Sequence, residues 1–369
     1  MAAPLIARIG AQWPQLTPML LLAGTDTAAI EGISAAGATP QARRQTAAAD
    51  AELLRLGPAA PLPHALPPLP AGVSPALISH VVLQELGLLQ RLLVVDLGAP
   101  LAPAVAHLRL PPPEAEGPAR CLSSGAAMTP ARVQALLQRG RRWGQAWPAN
   151  MPLLLAECVP GGTSTALAVL QGLGIAAAGL VGGSLLQPVH GLKAHLAQQG
   201  LAAAGLHPAA AEPAPAAAVL AAVGDPMQAL AAGLCLAAAE RQLPLVLAGG
   251  SQMAAVLALA LALAPEPLRQ AVARHSIVVT TAWVLGDPGN NLEALLQRIG
   301  DHWGVRPQLQ AAALRFTDCR HRALRDYERG YVKEGVGAGG LAWLWQLSGR
   351  SPEQLARACD RACGQLLGP

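Results

Sequence analysis

Short apolar runs without charge recur along this chain, and each leads into a glycine-rich turn and then a helix-like segment. Clear examples span residues 92–98, 152–162 and 276–284, and the run at 175–184 has the same character. Strands that alternate with helices predict a parallel sheet, because each crossover returns the chain as a helix over one face. The predicted fold class is therefore α/β and Rossmann-like, with a parallel sheet and helices on both faces.

Residues 243–264 pass without a charge and are long enough to span a membrane. Pro244 and the Gly249-Gly250 pair divide this segment into a buried strand and a following helix. A continuous apolar run is typical of a buried parallel strand, so the chain is predicted not to enter a membrane. The run at 19–24 is followed at once by Asp26, which argues against a signal peptide and favours a cytoplasmic protein.

The composition excludes several classes of protein. With 52% hydrophobic and 13% charged residues, the chain is predicted to fold around a sizeable core. The formal charge is +4 and the basic residues are scattered, so we expect no nucleic-acid partner. The six cysteines form no CxxC pair and the histidines no HExxH motif, so we expect reduced thiols, no metal and no cofactor. Cys359 and Cys363 could share a helix face and are predicted to be surface or half-buried thiols.

Three stretches rich in proline interrupt the alternation of strands and helices. Residues 58–75 hold seven prolines, and residues 99–120 and 207–216 are similar but looser. Proline supplies no backbone N–H to a ladder or a helix, so all three stretches are predicted to be stiff connectors or surface loops.

Ligands of parallel sheets bind beyond the carboxyl ends of the strands. The candidate loops are therefore those that follow each predicted strand: Asp96 to Gly98, Glu157 to Gly162, Gly182-Gly183-Ser184, Gly249 to Gln252, and Thr280-Thr281.

The segment AECVPGGTSTALAVL, which includes Glu157, carries the strongest signal among these loops. Gly161 and Gly162 can turn backbone N–H groups inward and Thr163 can cap the next helix, which together would form an anion cradle. The segment lacks the lysine of a P-loop, and GLGIAAAG nearby has the wrong spacing for a dinucleotide fingerprint. A tight turn that needs glycine for geometry alone remains the alternative.

The segment VVDLGAPLAP could suggest the pyrophosphate-sugar site of ordinary phosphoribosyltransferases. That site needs adjacent acids, whereas Asp96 stands alone with prolines after it. A pyrophosphate donor bound with magnesium is therefore not expected.

Four segments together resemble the nicotinate-nucleotide-dimethylbenzimidazole phosphoribosyltransferases of cobalamin lower-ligand assembly. They are ECVPGGTSTALAVL, VGGS with Lys193 downstream, LAGGSQM, and KEGVGAGG, in which E-G-x-G-A is the most specific. The N-terminal segments GTDTAAIEGISAAGA and TAAADAE are similar to a divergent branch of this family found in cyanobacteria and archaea. The likeness to the branch covers most of the chain.

The resemblance implies a large α/β domain and a smaller, mostly helical domain built from both chain ends. The corresponding division is residues 1–75 for the N-terminal part of the small domain and a connector, 76–310 for the nucleotide-binding domain, and 311–369 for a C-terminal helical segment. The resemblance also implies a homodimer.

The reaction that the resemblance implies moves ribose 5-phosphate from nicotinate mononucleotide to an aromatic nitrogen base, benzimidazole-like or purine, and yields an α-ribotide. Nicotinate leaves from a cationic pyridinium, so its departure needs neither metal nor acid. By position, Glu334 matches the general base and Glu157 an acidic residue before the strand–helix loop. Gly182, Gly183 and Lys193 match phosphate-binding positions. The remaining candidates for substrate binding are Gly161, Gly162, Thr163, Ser184, Gly249, Gly250, Thr280 and Thr281.

Each of these residues also has a structural interpretation. Glu157 could be a cap or an ion-pair partner, and Lys193 an exposed helix residue. Glu334 could hold the glycine loop shut through that loop's own N–H groups. The glycines at 335–340 are predicted to let the backbone pass close to a flat base. Asp26, Asp50 and Glu52 have no assigned chemistry.

The chain departs from the family in three respects. Ala156 replaces a usual glycine before Glu157, and VPGGTST replaces a quite different loop in the well-understood enzymes. Tyr331 stands where an arginine commonly precedes the catalytic glutamate. These departures leave a second class open, a non-catalytic nucleotide-binding protein of the same fold in the corrinoid pathway. A glutamate kept in its glycine setting favours the enzyme.

Overall fold

A computed structural model describes residues 2–207 and 214–368. Its centre is one sheet of seven parallel strands in the order β3–β2–β1–β4–β5–β6–β7. The strands are β1 (Thr17–Leu22), β2 (Leu93–Asp96), β3 (Leu108–Arg109), β4 (Leu153–Cys158), β5 (Leu245–Ala248), β6 (Ser276–Thr281) and β7 (Gln308–Ala312). The predicted fold class is confirmed.

Fifteen α-helices surround the sheet within the described residues. They are α1 (Ala2–Gln12), α2 (Pro40–Leu56), α3 (Ala76–Glu85), α4 (Pro130–Ala146), α5 (Gly162–Gly172), α6 (His190–Ala203), α7 (Ala216–Val223), α8 (Pro226–Glu240), α9 (Ser251–Leu263), α10 (Glu266–His275), α11 (Ala282–Leu285), α12 (Leu292–Trp303), α13 (Arg322–Arg325), α14 (Ala338–Leu347) and α15 (Pro352–Leu367).

Alternate residues of each central strand face two separate hydrophobic cores. In β1, Met19 and Leu21 belong to one core, while Leu20 and Leu22 belong to the other. Every residue of β1, β4 and β6 is buried, as expected for parallel strands covered on both faces. This is why the strands read as apolar runs rather than as alternating patterns.

The helices divide between the two faces by their place in the chain. Helices α4 to α10 and α12 contribute to the first core, and α1, α2, α3, α14 and α15 contribute to the second. Helix α3 packs against α2, α14 and α15, so both chain ends meet on one face of the sheet. The division of the chain at residues 75 and 310 stays a prediction. Strand β1, from the N-terminal segment, lies between β2 and β4 in the sheet, and β7 spans residue 310.

Between β1 and β4 the direction of the strand connections reverses. From β1 the chain proceeds outward to β2 and β3, then returns to the other side of β1 as β4 and continues to β7. Such a switch point opens a crevice at the carboxyl ends of the two strands, where ligands of open α/β sheets bind.

Most of the predicted strands and helices are confirmed, including β5 and α9 in the uncharged segment 243–264. One prediction was wrong, because residues 175–184 form turns and irregular chain rather than a strand. The glycines there serve a loop that we describe below. Cys359 and Cys363 do share a face of α15, but both are fully buried rather than surface or half-buried.

Residues 58–75 have no regular structure, as expected of a connector, and residues 99–120 are mostly irregular but contain the short strand β3. Residues 208–213 of the last proline-rich stretch lie outside the described residues. No helix in the described ranges is both long and apolar enough to cross a membrane. Across residues 2–207 and 214–368, no three His, Cys, Asp or Glu side chains converge as a metal site would require.

Candidate functional site

A cavity of about 440 Å³ opens at the carboxyl ends of β4 and β5, beside the switch point. The loops after these strands form part of its wall, together with segments 182–189 and 331–336. Segments 33–36 and 66–75 close the remaining side. Its volume falls in the range of sites for small ligands.

Ten of the thirteen residues predicted to form the site line this cavity. They are Glu157, Gly161, Gly162, Thr163, Gly182, Gly183, Ser184, Lys193, Gly250 and Glu334. Gly249, Thr280 and Thr281 are not in its wall; the two threonines lie behind Glu334 and hold it.

The loop after β4 offers an anion fewer free N–H groups than predicted. Gly161, with φ of 83°, is the N-cap of α5, so the prediction that Thr163 caps this helix was wrong. The N–H groups of Gly162 and Ser164 already donate to the carbonyls of Val159 and Gly161. In the described part of the chain, no backbone acceptor faces the N–H of Thr163. That N–H and the Thr163 hydroxyl are therefore the donors available to an anion.

Gly162 packs closely against another side chain, and its backbone angles do not require glycine. A Cβ at this position would lie 1.9 Å from Oε1 of Gln252, which projects from the start of α9. Within the described residues this buried oxygen has no hydrogen-bond partner, and neither does Oδ1 of Asn290. Both side chains line the cavity, so each presents an unsatisfied polar atom beside it.

Lys193 reaches the cavity from α6 and is almost fully buried, so the exposed interpretation was wrong. Its ammonium donates to the carbonyl of Gly182 at 2.8 Å. A Cβ on Gly183 would lie 2.9 Å from Nζ, so this glycine makes room for the lysine. Burial, and then the nearby charge of Lys333, lower the pKa of Lys193 to about 8. An anion in the cavity would relieve both effects.

Lys333 is a second buried lysine in the cavity wall, and sequence reasoning missed it. Its ammonium donates to Oδ2 of Asp287 at 2.6 Å and to the carbonyl of Leu185 at 3.2 Å. It precedes Glu334 directly and is the first residue of the segment KEGVGAGG. The sequence around Lys333 gives no sign that its partner lies 46 residues earlier.

The carboxylate of Glu334 accepts four hydrogen bonds. Oε1 accepts from the N–H groups of Gly335 and Gly339, each at 3.1 Å. Oε2 accepts from the Thr280 hydroxyl at 2.9 Å and the Thr281 N–H at 3.0 Å. Burial raises the pKa of Glu334 above its ordinary value, while these four donors hold it down in part.

The backbone around Glu334 is strained. Val332, Lys333 and Val336 have φ of 62°, 67° and 53°, values that L residues with a branched or long side chain rarely adopt. Such strain persists only where surrounding contacts determine the conformation, and it concentrates at functional sites. The hydrogen bonds of Glu334 and the ion pair of Lys333 provide those contacts.

Three of the four glycines that follow Glu334 approach the sheet rather than the cavity, which corrects the prediction that they make room for a flat base. Gly335 does line the cavity, so for this glycine the prediction stays open. A Cβ on Gly337 would lie 2.6 Å from Cβ of Ala156, and one on Gly340 would lie 2.4 Å from Cβ of Ala248. One on Gly339 would lie 2.2 Å from the backbone of Thr280. The glycines let α14 begin directly over β4, β5 and β6, and this places Glu334 at the sheet's carboxyl edge.

Three further carboxyl groups lie at or near the cavity. Glu157 accepts from the N–H of Val159 at 3.0 Å, and burial raises its pKa to about 8, so it is mostly uncharged at neutral pH. Asp50 lines the cavity beside Cys158. Glu52 instead points away and binds His64 and the Ala104 N–H, which fixes the proline-rich segment.

Comparison with known proteins gives three findings. The model of a family described as phosphoribosyltransferase matches residues 88–281. A UPF0284 protein of Prochlorococcus marinus (strain MIT 9313) is 52% identical over 95% of this chain and 86% of its own length. One of Parasynechococcus marenigrum (strain WH8102) is 52% identical over 95% of this chain and 87% of its own length.

Two solved structures have a similar fold. A crystal structure of CobT from Thermus thermophilus superposes with a TM-score of 0.57 and 20% identity, over 96% of this chain and 89% of that one. A structure of the nicotinate-nucleotide-dimethylbenzimidazole phosphoribosyltransferase from the same organism gives 0.56 and 21%, over 96% and 88%. At this level of identity the likeness concerns the fold.

Proposed function

Because the chain belongs to the phosphoribosyltransferase family, in the cyanobacterial branch of the UPF0284 proteins, we propose that it transfers ribose 5-phosphate from nicotinate mononucleotide to a ring nitrogen of an aromatic base. The family and branch expected from the sequence are confirmed. The donor, the acceptor class, benzimidazole-like or purine, and the α-ribotide product for a cobamide lower ligand are part of the proposal.

The observation that carries the proposal is the separation of lysine and carboxyl groups within one cavity. Lys193 and Lys333 lie on the side formed by segment 182–189, where both donate to backbone carbonyls. Glu334 and Glu157 lie on the side formed by the carboxyl ends of the strands. A ligand with an anionic group at one end and an N–H at the other fits this polarity, and a ribonucleotide facing a base is such a ligand.

On the cationic side, the phosphate of the donor would meet Lys193, the Thr163 N–H and the Gly183 backbone. Lys193 is held by a neutral carbonyl rather than by a carboxylate. Its charge is therefore available to the phosphate without first breaking an ion pair. The uncharged state of Glu157 near neutral pH limits repulsion of an anionic donor.

In the proposed reaction, a ring nitrogen of the acceptor forms a bond to C1 of the ribose. The bond from C1 to the pyridinium nitrogen breaks, and its electron pair leaves with nicotinate. The proton on the acceptor's other nitrogen passes to Glu334. Atoms and charge balance without a further reactant, and positioned proton transfer of this kind is typically worth ~10²–10⁴ in rate.

Thr280 allows Glu334 to accept that proton although both of its oxygens are hydrogen-bonded. Three of the four donors are backbone N–H groups, which cannot reverse. The Thr280 hydroxyl can rotate and accept a hydrogen bond from the protonated carboxyl. The Thr280–Glu334 contact is thus compatible with both protonation states.

The same four hydrogen bonds favour a second candidate, a nucleotide-binding protein without turnover. In that case Glu334 would only hold the strained loop against the sheet. The two functions differ in whether the acceptor's proton has to be removed by this carboxylate.

The experiment compares wild type with Glu334→Gln, using release of free nicotinate as the readout and two kinds of acceptor. One is a benzimidazole, which keeps its N–H at neutral pH; the other is an azole acidic enough to be ionised in the assay. A proton-accepting Glu334 predicts a loss of about 10²-fold or more with the benzimidazole and a much smaller loss with the ionised azole.

A Gln amide would turn N–H groups toward two of the donors that face Glu334, so Glu334→Gln also loosens the loop. Equal losses with both acceptors would therefore identify a loop-holding role and contradict the assignment as base. No nicotinate release by wild type with any base would contradict the transferase itself. The homodimer implied by the resemblance is part of the proposal, and a monomer in light scattering at micromolar concentration would contradict it.

A further inference from the structure

Asp50 is a buried carboxyl group that neither the phosphate side nor the proton transfer uses. It lies on α2, is only 5% exposed, and lines the cavity. Oδ1 accepts from the Ser74 hydroxyl at 2.6 Å, and Oδ2 accepts from the Cys158 thiol at 3.5 Å. The second contact is long and its donor is weak, so Oδ2 keeps most of its capacity to accept.

Within the described residues, no lysine, arginine or histidine forms an ion pair with Asp50. A buried carboxylate without a cation is costly unless it is hydrogen-bonded, and here one strong donor and one weak donor are in place. Burial accordingly raises the pKa of Asp50 to about 6, which leaves it mostly ionised at neutral pH. A carboxylate in this state lacks donors, and the cavity is where they could come from.

Asp50 belongs to the side of the cavity where the acceptor base would lie. Its partner Cys158 follows Glu157 at the end of β4. Its other partner, Ser74, precedes Pro75, and Pro75 packs against Gly335: a Cβ on Gly335 would lie 3.0 Å from Cγ of Pro75. Asp50 is therefore on the side of Glu334 and Gly335, whereas the ammonium groups of the two lysines contact segment 182–189.

We propose that Asp50 is a specificity residue that binds a hydrogen-bond donor on the acceptor base, distinct from the N–H that Glu334 removes. The site would then select a base with an exocyclic amino group over one whose far edge is apolar. This inference rests on the proposed function, because only that function makes the ligand beside Asp50 an acceptor base.

The proposal follows from the balance of hydrogen bonds in a buried site. A base with an amino group supplies Asp50 with the donor it lacks, and a charge-assisted bond of this kind typically changes affinity tenfold or more. A dimethylated benzene edge would remove Oδ2 from water and leave it with the thiol alone, which disfavours binding. Discrimination based on an unsatisfied polar group is stronger than discrimination by shape.

The test measures binding rather than turnover. Calorimetry with the full chain compares 6-aminopurine, purine and 5,6-dimethylbenzimidazole in wild type, Asp50→Ala and Asp50→Leu. We expect wild type to bind 6-aminopurine at least about tenfold tighter than purine, which differs by the amino group alone. Asp50→Ala should remove this difference, and Asp50→Leu should make the dimethylated base the preferred one.

Equal affinity of wild type for 6-aminopurine and purine would overturn the proposal, as would an unchanged preference in Asp50→Ala. Failure to bind any of the three bases would overturn it too. If the variants do not fold, the comparison of ligands on wild type decides. A clear preference without nicotinate release would leave this inference standing and reject the transferase, whereas release without a preference would do the reverse.

Discussion

The ammonium of Lys333 lies 2.6 Å from Oδ2 of Asp287, and both side chains are almost completely buried. This ion pair joins the strained loop that carries Glu334 to the loop before α12. Lys333 lines the cavity next to Glu334, so the position of Glu334 depends on an electrostatic contact as well as on hydrogen bonds.

Removing the cation from this pair should cost both stability and rate. Lys333→Met leaves Asp287 buried without its partner, and breaking a buried pair typically costs about 3–5 kcal/mol in the free energy of unfolding. The loop should relax toward negative φ, so kcat should fall more than KM changes. Urea unfolding and steady-state kinetics measure the two effects. Lys333→Met combined with Asp287→Leu should recover most of the stability; no recovery would mean that the pair is not the cause.

Binding of the donor's phosphate should depend on pH through Lys193. The pKa of this lysine is lowered to about 8, so the free protein carries the charge below that pH and loses it above. Affinity for nicotinate mononucleotide should therefore fall as pH rises from 7 to 9. Lys193→Met should bind about tenfold or more weakly at pH 7, and its affinity should not fall over this range. A parallel pH dependence in wild type and variant, measured by calorimetry, would contradict the role of Lys193.

Replacing Thr280 should shift the pH profile rather than only the rate. Thr280→Val removes a donor that favours ionised Glu334, so the pKa of Glu334 should rise further. A general base works when deprotonated, so the ascending limb of kcat/KM should move to higher pH. Thr280→Ser keeps the hydroxyl and is the matched control. If the ascending limb of the kcat/KM profile stays at the same pH in Thr280→Val, that limb does not report the ionisation of Glu334.

Glu157 should make the protein less stable as pH rises. The pKa of its buried carboxyl is about 8, against 4.5 for the free side chain. Its contribution to stability is fully present below about pH 4.5 and is lost as pH rises through 8, because only the unfolded chain ionises freely in between. Glu157→Gln should remove this loss and be about 1–3 kcal/mol more stable than wild type at pH 8. Urea unfolding at pH 5 and pH 8 checks the sign, and a variant that is no more stable at pH 8 would refute it.

The sheet could be predicted because its signal is local. A fully buried parallel strand must be apolar along its whole length, and β2, β4, β5 and β6 are apolar runs with a turn after them. The run at 175–184 shows the same composition for another reason, since it is a glycine loop that packs around Lys193. Strand β1 was missed because its run was considered only as a targeting segment.

The site was predictable where a motif carries it and not where distant segments meet. Glu334, Lys193 and the loop after β4 stand in recognisable motifs, and all line one cavity. Asp50 and Lys333 stand in quoted segments that assigned them no role, and Asn290 stands in none; the fold brings all three to the same space. The assumed purpose of Gly337 and Gly340 was wrong for a similar reason, since their neighbours Ala156 and Ala248 come from strands far away in the sequence.

The wall of the cavity that carries Glu334 is built from parts of the chain far apart in sequence. Gly72 donates to Asp326 and Tyr327 donates to Val73, each across 254 positions. On a ribosome, α2 and the strands β1 to β6 all emerge before the residues that complete this wall. The cavity can therefore be completed only after residues 331–336 have been synthesised, when the strands of the sheet are already present. The wall that holds Glu334 is thus among the last parts of the cavity to be made during synthesis.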